Sequence, residues 1–451
     1  MTAQLQTLAY QAAEFIKKQS LSTRIRVVSH YDADGISAAA IICHMLRREG
    51  YDFHVILMRN PFTQGLERIK KEQPSFLIFT DMGSGQLSIL ETFSCPILII
   101  DHHQVIKKKT AEHILQVNAN LCGINGNYEA SGASIAYSVA CAFNENNTDL
   151  ASFALAGATG DKQYIGGFRG YNELIINDAL KNNAVTSSVG IKLSGSTLVE
   201  SLLYAIEPFY QGISGRKEAI QSILSSIGIA DHQRYEDLND TQRKDLHSIL
   251  ILRLIEAGCT STILETAIRK RYYSDATHGE MERFADLLDS CGKGGQRDIG
   301  LALCLGDDTA YEQAIDQEHS FKQTILSDLL LLEKDGVNET TSFRYFYSDH
   351  SSLGGVVGGI ATNFLLDESK PLISIVKKPH ELHISGRGNR TLVAQGLDLG
   401  AAMEHVAKQL DGHGGGHKIA AGATLPAEEE SFLKELDSIL LRQMKKEKEA
   451  S

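Results

Sequence analysis

The chain has 451 residues, more than one hydrophobic core ordinarily serves, which predicts two or three domains. Its 43% hydrophobic and 22% charged residues are typical of a soluble globular protein, and no apolar run is long enough to span a bilayer. The net charge of −12 disfavours a nonspecific coat on DNA, but a nucleic-acid enzyme stays open because bound metals would offset carboxylates. Seven cysteines without a Cys-x-x-Cys pair argue against disulfides or structural zinc and predict a cytoplasmic protein.

The first predicted strand ends in three potential metal ligands. Residues 25–29 form a β-branched run that ends at His30, Asp32 and Asp34, and an apolar helix pattern follows over 36–48. In open α/β sheets, ligands bind where a strand turns into a helix. Two carboxylates this close favour a divalent cation between them, although an acidic helix cap would also explain them.

The same pattern recurs after two later apolar runs. One run ends at Asp81, and the other ends in the triplet Asp101-His102-His103. Because parallel strands present their carboxyl ends at one edge of a sheet, these side chains would lie beside those of the first strand. A later apolar helix delivers Asp161, so coincidence is a poor explanation for the pattern.

Strand and helix patterns change twice along the chain. The predicted strands of the first part are 25–29, 53–58, 75–80, 96–100 and 114–117. Their alternation with helices predicts a doubly wound parallel α/β domain over residues 1–171. Periodic Leu and Ile spacing predicts a mostly helical insertion or linker domain over 172–335, and mixed patterns predict a small α/β domain over 336–451.

The acidic and imidazole side chains of the first domain are enough for two divalent ions that share a bridging carboxylate. The candidate ligands are His30, Asp32, Asp34, Asp81, Asp101, His102, His103 and Asp161. Two ions about 3.5–4 Å apart stabilise both the attacking and the leaving oxygen of a phosphoryl displacement. Imidazole among mainly oxygen ligands favours Mn²⁺, with Mg²⁺ as the alternative.

Four ordered motifs resemble the DHH phosphoesterase superfamily. Its motifs I to IV match residues 29–35 (Ser-His-Tyr-Asp-Ala-Asp-Gly), Asp81, 101–103 and 160–161. The glycine-rich segment 412–422 resembles the hallmark of the DHHA1 partner domain. Both ends of the chain are covered, and the helical middle is not. The chain is most similar to RecJ-type single-strand exonucleases, and its length and spacing resemble their archaeal branch.

The resemblance implies a role for each motif residue. The metal ligands of the family match Asp32, Asp34, Asp81, His102 and Asp161. Asp81 would bridge the two ions, and His30 is a further expected ligand, although bacterial RecJ enzymes carry an acid there. Asp101, itself not a ligand, would orient His102 by accepting a hydrogen bond from it, and His103 would face the scissile phosphate.

The glycine run of the C-terminal domain is expected to bind a substrate phosphate. Consecutive glycines let backbone amides approach an anion closely, as in phosphate loops. Gly414, Gly415, Gly416 and His417 form this expected site. A metal pair made by His413 and His417 is the alternative.

A Ser-x-Arg element is expected to complete that phosphate site. Ser385-Gly386-Arg387 matches the element found in RecJ-like proteins. Arg387 would hold a phosphate through two parallel hydrogen bonds, and Ser385 would donate a third. A solvated surface turn is the alternative interpretation.

The resemblance thus predicts a two-metal exonuclease that hydrolyses single-stranded nucleic acid from one end, with the DHHA1 domain closing over the strand. It implies 5′-to-3′ hydrolysis of DNA in replication or repair, although some archaeal relatives favour RNA from the other end. One alternative is a phosphodiesterase for short oligonucleotides or cyclic dinucleotides. The other is a replisome scaffold subunit that binds GINS, and the exposed face of the helical middle is the expected docking surface.

Overall fold

The chain folds into two compact units. The computed structural model describes residues 2–59, 62–107, 109–193, 195–350 and 353–448. The first unit contains residues 1–190 and 269–321, and the second contains 191–268 and 322–451. The segment expected to form a separate helical domain, 172–335, is therefore shared between the two units. Among the described residues, no helix is both long and apolar enough to cross a membrane.

The first unit is built on a parallel sheet. Its first elements are α1 Ala3–Lys17, β1 Ile25–His30, α2 Ala33–Arg48, β2 Phe53–Met58, α3 Thr63–Lys71, β3 Phe76–Thr80, α4 Leu87–Leu90, β4 Ile97–Asp101, β5 Ile114–Asn118, α5 Gly132–Phe143, α6 Ala151–Gly160 and α7 Gly170–Lys181. The five strands are parallel and lie in the order β2-β1-β3-β4-β5. The order reverses between β1 and β3, because the chain passes from β1 to β2 on one side and then to β3 on the other. The expected doubly wound sheet is confirmed.

Both faces of this sheet are buried, which explains why its strands are nearly continuous apolar runs. Successive side chains of a strand point to opposite faces. Val27 and Ile78 belong to the core that contains α1, α2, α5 and α6. Val28 and Phe79 belong to a second core with the apolar side chains of α3 and α4.

The middle of the chain is mainly helical, as expected, but it also contains three strands. Its elements are β6 Thr186–Ile191, α8 Leu198–Leu203, α9 Lys217–Ser226, α10 Asp240–Glu256, α11 Ser261–Ala267, β7 Ile268–Ser274, β8 Gly279–Glu280, α12 Met281–Lys293, α13 Arg297–Cys304 and α14 Asp308–Asp335. Helix α11 ends at Ala267, since the aromatic and β-branched residues that follow form β7. The strands β6-β7-β8 form a small sheet. Helices α12 and α13 pack against α2, so this part of the middle belongs to the first unit.

The C-terminal part of the second unit contains a mixed sheet. Its elements are β9 Asn338–Glu339, β10 Arg344–Tyr347, α15 Gly354–Phe364, β11 Leu372–Lys377, β12 Glu381–Arg387, α16 Arg390–Ala394, α17 Leu399–Gln409, β13 His413–Gly416, β14 Ala420–Pro426 and α18 Glu429–Lys448. The strand order is β13-β14-β12-β11-β10-β9, with β10 and β11 parallel. The glycine run expected as a loop is an edge strand, β13. It lies so close to α17 that a Cβ on Gly414 would come within 2.7 Å of the Met403 carbonyl oxygen.

Candidate metal centre

The turn from β1 into α2 carries the first three predicted ligands. Asp32 caps α2, since its Oδ1 accepts a hydrogen bond of 3.0 Å from the Gly35 amide. Its other oxygen, Oδ2, lies 2.8 Å from His30 Nδ1. The helix-cap interpretation is therefore correct for one oxygen of Asp32, while the second oxygen is directed to a ligand cluster.

Asp34 is held by the N-terminus of another helix. Its side chain is only 1% exposed, and its two oxygens accept hydrogen bonds from the Gly132 and Ala133 amides at 2.7 and 3.0 Å. A Cβ on Gly157 would come within 2.4 Å of Asp34 Oδ1. Hydrogen-bond donors and a close glycine thus fix this buried carboxylate.

Asp81 follows β3 and stands between the other acidic groups. Its Oδ1 lies 3.1 Å from His102 Nε2, and its Oδ2 lies 3.5 Å from His30 Nδ1. The backbone of Asp81 has a φ of +55°, a left-handed conformation that is uncommon outside glycine and clusters at functional sites. A Cβ on Gly132 would come within 2.7 Å of Asp81 Oδ1, so this neighbour must be small.

Asp101 organises the end of β4. Its Oδ1 lies 2.8 Å from Nδ1 of His103 and accepts hydrogen bonds from the backbone amides of His102 and His103. The expectation that Asp101 orients the His102 ring is wrong. That ring instead contacts the carbonyl oxygen of Gly126 through Nδ1, at 2.6 Å.

The contact with Gly126 determines which nitrogen of His102 is available. Because a carbonyl oxygen only accepts, His102 Nδ1 carries the proton and Nε2 faces the carboxylates. Nε2 lies 3.6 Å from Asp34 Oδ2 and 3.5 Å from Asp161 Oδ2. This is the arrangement that a metal-binding imidazole requires.

The side chains form three overlapping donor groups in which the ligand atoms lie within 4.8 Å of one another. The groups are His30, Asp32 and Asp81; Asp34, His102 and Asp161; and Asp81, His102 and His103. Within the described part of the chain, the buried atoms His30 Nδ1 and Asp81 Oδ1 have no well-oriented hydrogen-bond partner, and the polar atoms near them belong to the other predicted ligands. Unpaired buried donors and acceptors are costly, and a cation would satisfy the acceptor atoms. The mainly oxygen donor set fits Mn²⁺ or Mg²⁺.

The crowded carboxylates shift the protonation of the centre. Burial raises the pKa of Asp161 to about 7, and burial together with the charges of Asp81 and Asp161 raises the pKa of Asp34. Burial disfavours a charged His30, but the nearby carboxylates of Asp32 and Asp81 raise its pKa to about 11. Without a cation, protons held by these groups offset part of the negative charge of the centre. Metal binding would displace them.

A buried network of amides surrounds His102. Gln163 donates to the Gly126 carbonyl oxygen at 2.9 Å, and Asn172 donates to Gln163 Oε1 at 2.6 Å. Ser134, in the first turn of α5, donates to Asn172 Oδ1 at 2.5 Å. The network therefore joins the carbonyl that holds His102 to the helix that holds Asp34.

The predicted phosphate residues lie on the C-terminal sheet of the second unit. Ser385 and Arg387 are both within β12 and are separated by a single residue, so they face the same side of the sheet. A Cβ on Gly355 of α15 would come within 2.5 Å of Arg387 Nη2, so the glycines of α15 make room for the guanidinium. Among the described residues, Arg387 forms no ion pair, and burial lowers its pKa.

The glycine strand lies two strands away from Ser385. Gly415 pairs with Gly422 of β14, which in turn pairs with Ser385. The three residues are therefore side by side on one face, with Gly415 roughly 10 Å from Ser385 at the usual strand spacing. His417 is exposed in the turn after β13, where its amide donates to the Ala420 carbonyl oxygen.

Comparison with known proteins finds one family match in the N-terminal part of the chain and another in the C-terminal part. Residues 24–158 match the DHH family, N-terminal domain, and residues 342–442 match the DHHA1 domain. The chain is a DHH/DHHA1 protein. An uncharacterized protein of Methanocaldococcus jannaschii, MJ0831, is 28% identical over 431 residues, which are 94% of each chain.

Solved structures share the fold at low sequence identity. Exonuclease RecJ bound to manganese is 16% identical, with a TM-score of 0.60 over 98% of this chain and 95% of that one. RecJ of Thermus thermophilus in complex with Mn²⁺ is 17% identical, with a TM-score of 0.58; the match covers 98% of this chain and 55% of that longer chain. CDC45 of Entamoeba histolytica is 14% identical, with a TM-score of 0.61 over 97% and 98%. The DHH/DHHA1 protein therefore has a RecJ-like fold.

The first unit brings together every predicted metal ligand of the first domain, including His30. Sequence reasoning missed Gly126 and Gln163. Gly126 acts through its backbone carbonyl, which no sequence motif reveals. Gln163 lies two residues after Asp161, and this position next to a predicted ligand is the signal that could have found it.

Proposed function

We propose that the protein is a divalent-metal-dependent exonuclease that hydrolyses single-stranded nucleic acid by two-metal phosphodiester hydrolysis. The observation that carries this proposal is the meeting of two donor groups at Asp81. Asp81 belongs to one group with His30 and Asp32 and to another with His102 and His103. His102 in turn belongs to the group that contains Asp34 and Asp161. Such an arrangement suits two cations that share one bridging carboxylate.

The donor groups on either side of Asp81 would hold the two cations. When bound, these would supply a nucleophilic water at neutral pH and stabilise the charge on the phosphoryl oxygens. Manganese is the preferred ion of the proposal because the donor set contains imidazole. Similar RecJ structures hold Mn²⁺ and, in another complex, Mg²⁺. The backbone amides of Gly132 and Ala133 hold the two Asp34 oxygens in place, and hydrogen bonds of this kind favour the charged carboxylate.

His103 is proposed to hold the scissile phosphate. Its side chain is 56% exposed, and Asp101 fixes the ring through Nδ1, which leaves Nε2 for a substrate oxygen. Burial disfavours the charged ring, but the hydrogen bond to Asp101 and the nearby Asp81 raise the pKa of His103. A protonated His103 would donate a charge-assisted hydrogen bond to the phosphate.

The DHHA1 domain is proposed to bind a phosphate of the strand. Arg387 offers a guanidinium that has no ion pair among the described residues, and Ser385 stands beside it on the same face. Gly414, Gly415, Gly416 and His417 stay the predicted companions of this site. Arg387 favours an anion because a half-buried guanidinium without a counter-charge gains from pairing with one.

The rival functions rest on weaker observations. CDC45 shares the fold, but a complete set of metal donors favours catalysis over a scaffold without activity. Binding to GINS, a place in replication or repair, and 5′-to-3′ polarity on DNA stay predictions. The remaining rival, hydrolysis of very short oligonucleotides or cyclic dinucleotides, uses the same centre on a smaller substrate.

One experiment separates these functions. The full chain with Mn²⁺ is incubated with DNA and RNA single strands labelled at either end, with a matched duplex, and with linear and cyclic dinucleotides. The proposal expects stepwise shortening of a single strand from one end and an intact duplex. Turnover of dinucleotides alone would instead establish the small-substrate function. No turnover of any substrate would overturn the proposal and favour the scaffold.

A further inference from the structure

A helix from the middle of the chain contacts the segment that carries the first metal ligands. Helix α12 packs against α2 and α6 within the first unit. Its Gly292 lies so close to the turn after β1 that a Cβ would come within 1.9 Å of the Tyr31 carbonyl oxygen. Any side chain at this position would displace backbone, not a flexible side chain. The close contact between Gly292 and the Tyr31 backbone therefore helps to position the segment that carries the predicted ligands.

Asp289 of the same helix binds the backbone between two predicted ligands. Its Oδ1 accepts a hydrogen bond of 2.9 Å from the amide of Ala33, which stands between Asp32 and Asp34. Ala33 is fully buried and is the first residue of α2, so its amide has no partner within the helix. Asp32 caps the Gly35 amide of the same turn. Two carboxylates thus hold the turn, one local and one from a distant part of the chain.

Lys293 holds the Asp289 carboxylate in turn. Its Nζ lies 2.6 Å from Asp289 Oδ2, one helical turn further along α12, and both side chains are partly buried. Asp289 therefore accepts a hydrogen bond from the Ala33 amide through one oxygen and pairs with the Lys293 ammonium group through the other. Its direction is therefore fixed from both ends, and it does not point to the donor groups around Asp81.

We propose that Asp289, held by Lys293, is a positioning residue of the metal centre. It fixes the backbone of residues 31–34 so that Asp32 and Asp34 present their oxygens at the separation the cations require. The inference rests on the proposed function only for the presence of a metal centre, and metal binding tests it independently of hydrolysis. Loss of outer hydrogen bonds to a metal site typically lowers affinity about 10–100-fold.

The test compares three variants of the full chain by calorimetric titration with Mn²⁺ alone. Asp289→Ala removes the acceptor of the Ala33 amide and is expected to weaken Mn²⁺ binding by about tenfold or more. Asp289→Asn keeps an oxygen acceptor and is expected to lose less. Asp298→Asn, an exposed carboxylate on α13, removes the same charge nearby and is expected to leave affinity unchanged.

A positioning role also predicts how turnover responds to metal. For Asp289→Ala, high Mn²⁺ should restore kcat on a short single strand, while KM for the strand stays near that of the parent protein. Wild-type Mn²⁺ affinity in a folded Asp289→Ala protein would overturn the inference. If that variant does not fold, Lys293→Met is measured instead. This substitution frees the Asp289 carboxylate and should still weaken Mn²⁺ binding, so an unchanged affinity would overturn the inference. A parent protein that binds Mn²⁺ but hydrolyses nothing would overturn the proposed function and leave this inference standing.

Discussion

The metal centre and the predicted phosphate face use two kinds of sheet in different ways. In the parallel sheet, β1, β3 and β4 end at the same edge, and the residues that follow them converge into one cluster. In the C-terminal sheet, Ser385 and Arg387 lie within a strand and are displayed on a face beneath the glycines of α15.

This difference explains what each region is suited to hold. Converging strand ends gather many charged groups around a small volume, which suits compact multivalent cations. A sheet face spaces its groups roughly 5 Å apart in one direction and 7 Å in the other, which suits an extended ligand such as a nucleic-acid strand. Mutations should therefore separate the regions into metal-dependent and substrate-dependent effects.

The largest effect is expected at the centre of the first region. Asp81→Ala should lower hydrolysis by about a thousandfold, since losing roughly 4 kcal/mol of two-ion stabilisation corresponds to that factor. Mn²⁺ calorimetry should show the loss of at least one site. Gln73→Ala is the matched control, because Gln73 is exposed and has a similar φ of +50°. Two undisturbed Mn²⁺ sites in Asp81→Ala would show that Asp81 is not the bridge.

The second-largest effect is expected in the pH dependence of metal binding, which concerns the metal centre and not the phosphate face. In the metal-free protein Asp161 has a pKa of about 7 and His30 a pKa of about 11, so both hold protons below pH 7. Binding must displace these protons, and Mn²⁺ affinity should rise with pH by about tenfold per unit for each proton released. The rise should be steeper below pH 7, where both groups release a proton, than between pH 7 and pH 8, where His30 still does. Calorimetry in buffers of different ionisation enthalpy measures the release directly. A flat affinity without proton release would contradict this account of the centre.

Arg387→Ala should affect the second region alone. Loss of a charged hydrogen bond worth roughly 1.5–3 kcal/mol should raise KM by about tenfold or more. Metal content, measured by calorimetry, should stay that of the parent protein. Arg390→Ala removes an exposed arginine at the start of α16 and serves as the control. A loss of metal with unchanged KM would place Arg387 in the wrong region.

A smaller effect in the same direction is expected from Gly355→Ala. The new Cβ would meet Arg387 Nη2 at 2.5 Å and push the guanidinium aside, which should raise KM a few-fold. Gly359→Ala is its matched control, since a Cβ there would lie 4.0 Å from Arg387 Nε. Equal KM values for the two variants would show that the position of the guanidinium does not matter.

The parallel sheet was predictable because its signals are local. Apolar runs that end in Asp or His mark both the strands and the edge where their ends meet, and the placement of His30, Asp81 and His102 follows from that. The roles of these residues as ligands stay predictions. The glycine strand β13 was missed because glycine has a low strand propensity, and its pairing with β14 depends on contacts distant in sequence.

Contacts between distant parts of the chain were beyond sequence reasoning. Asp289 reaches Ala33 across more than half of the chain, and it looks like an ordinary solvated residue of an amphipathic helix. The His102 ring binds a backbone oxygen, and any residue supplies one of those. The family resemblance implied a hydrogen bond from His102 to Asp101, but the neighbouring ring of His103 takes that carboxylate instead.

The spread of the donors along the chain has a consequence for biosynthesis. His30 leaves the ribosome long before Asp161, and the amides that grip Asp34 belong to a helix made in between. A nascent chain therefore has no complete cation site until β1, β3, β4 and α6 have assembled. A cation that binds only the assembled form shifts the equilibrium towards it by mass action. The cation would then stabilise the domain only at a late stage of its folding.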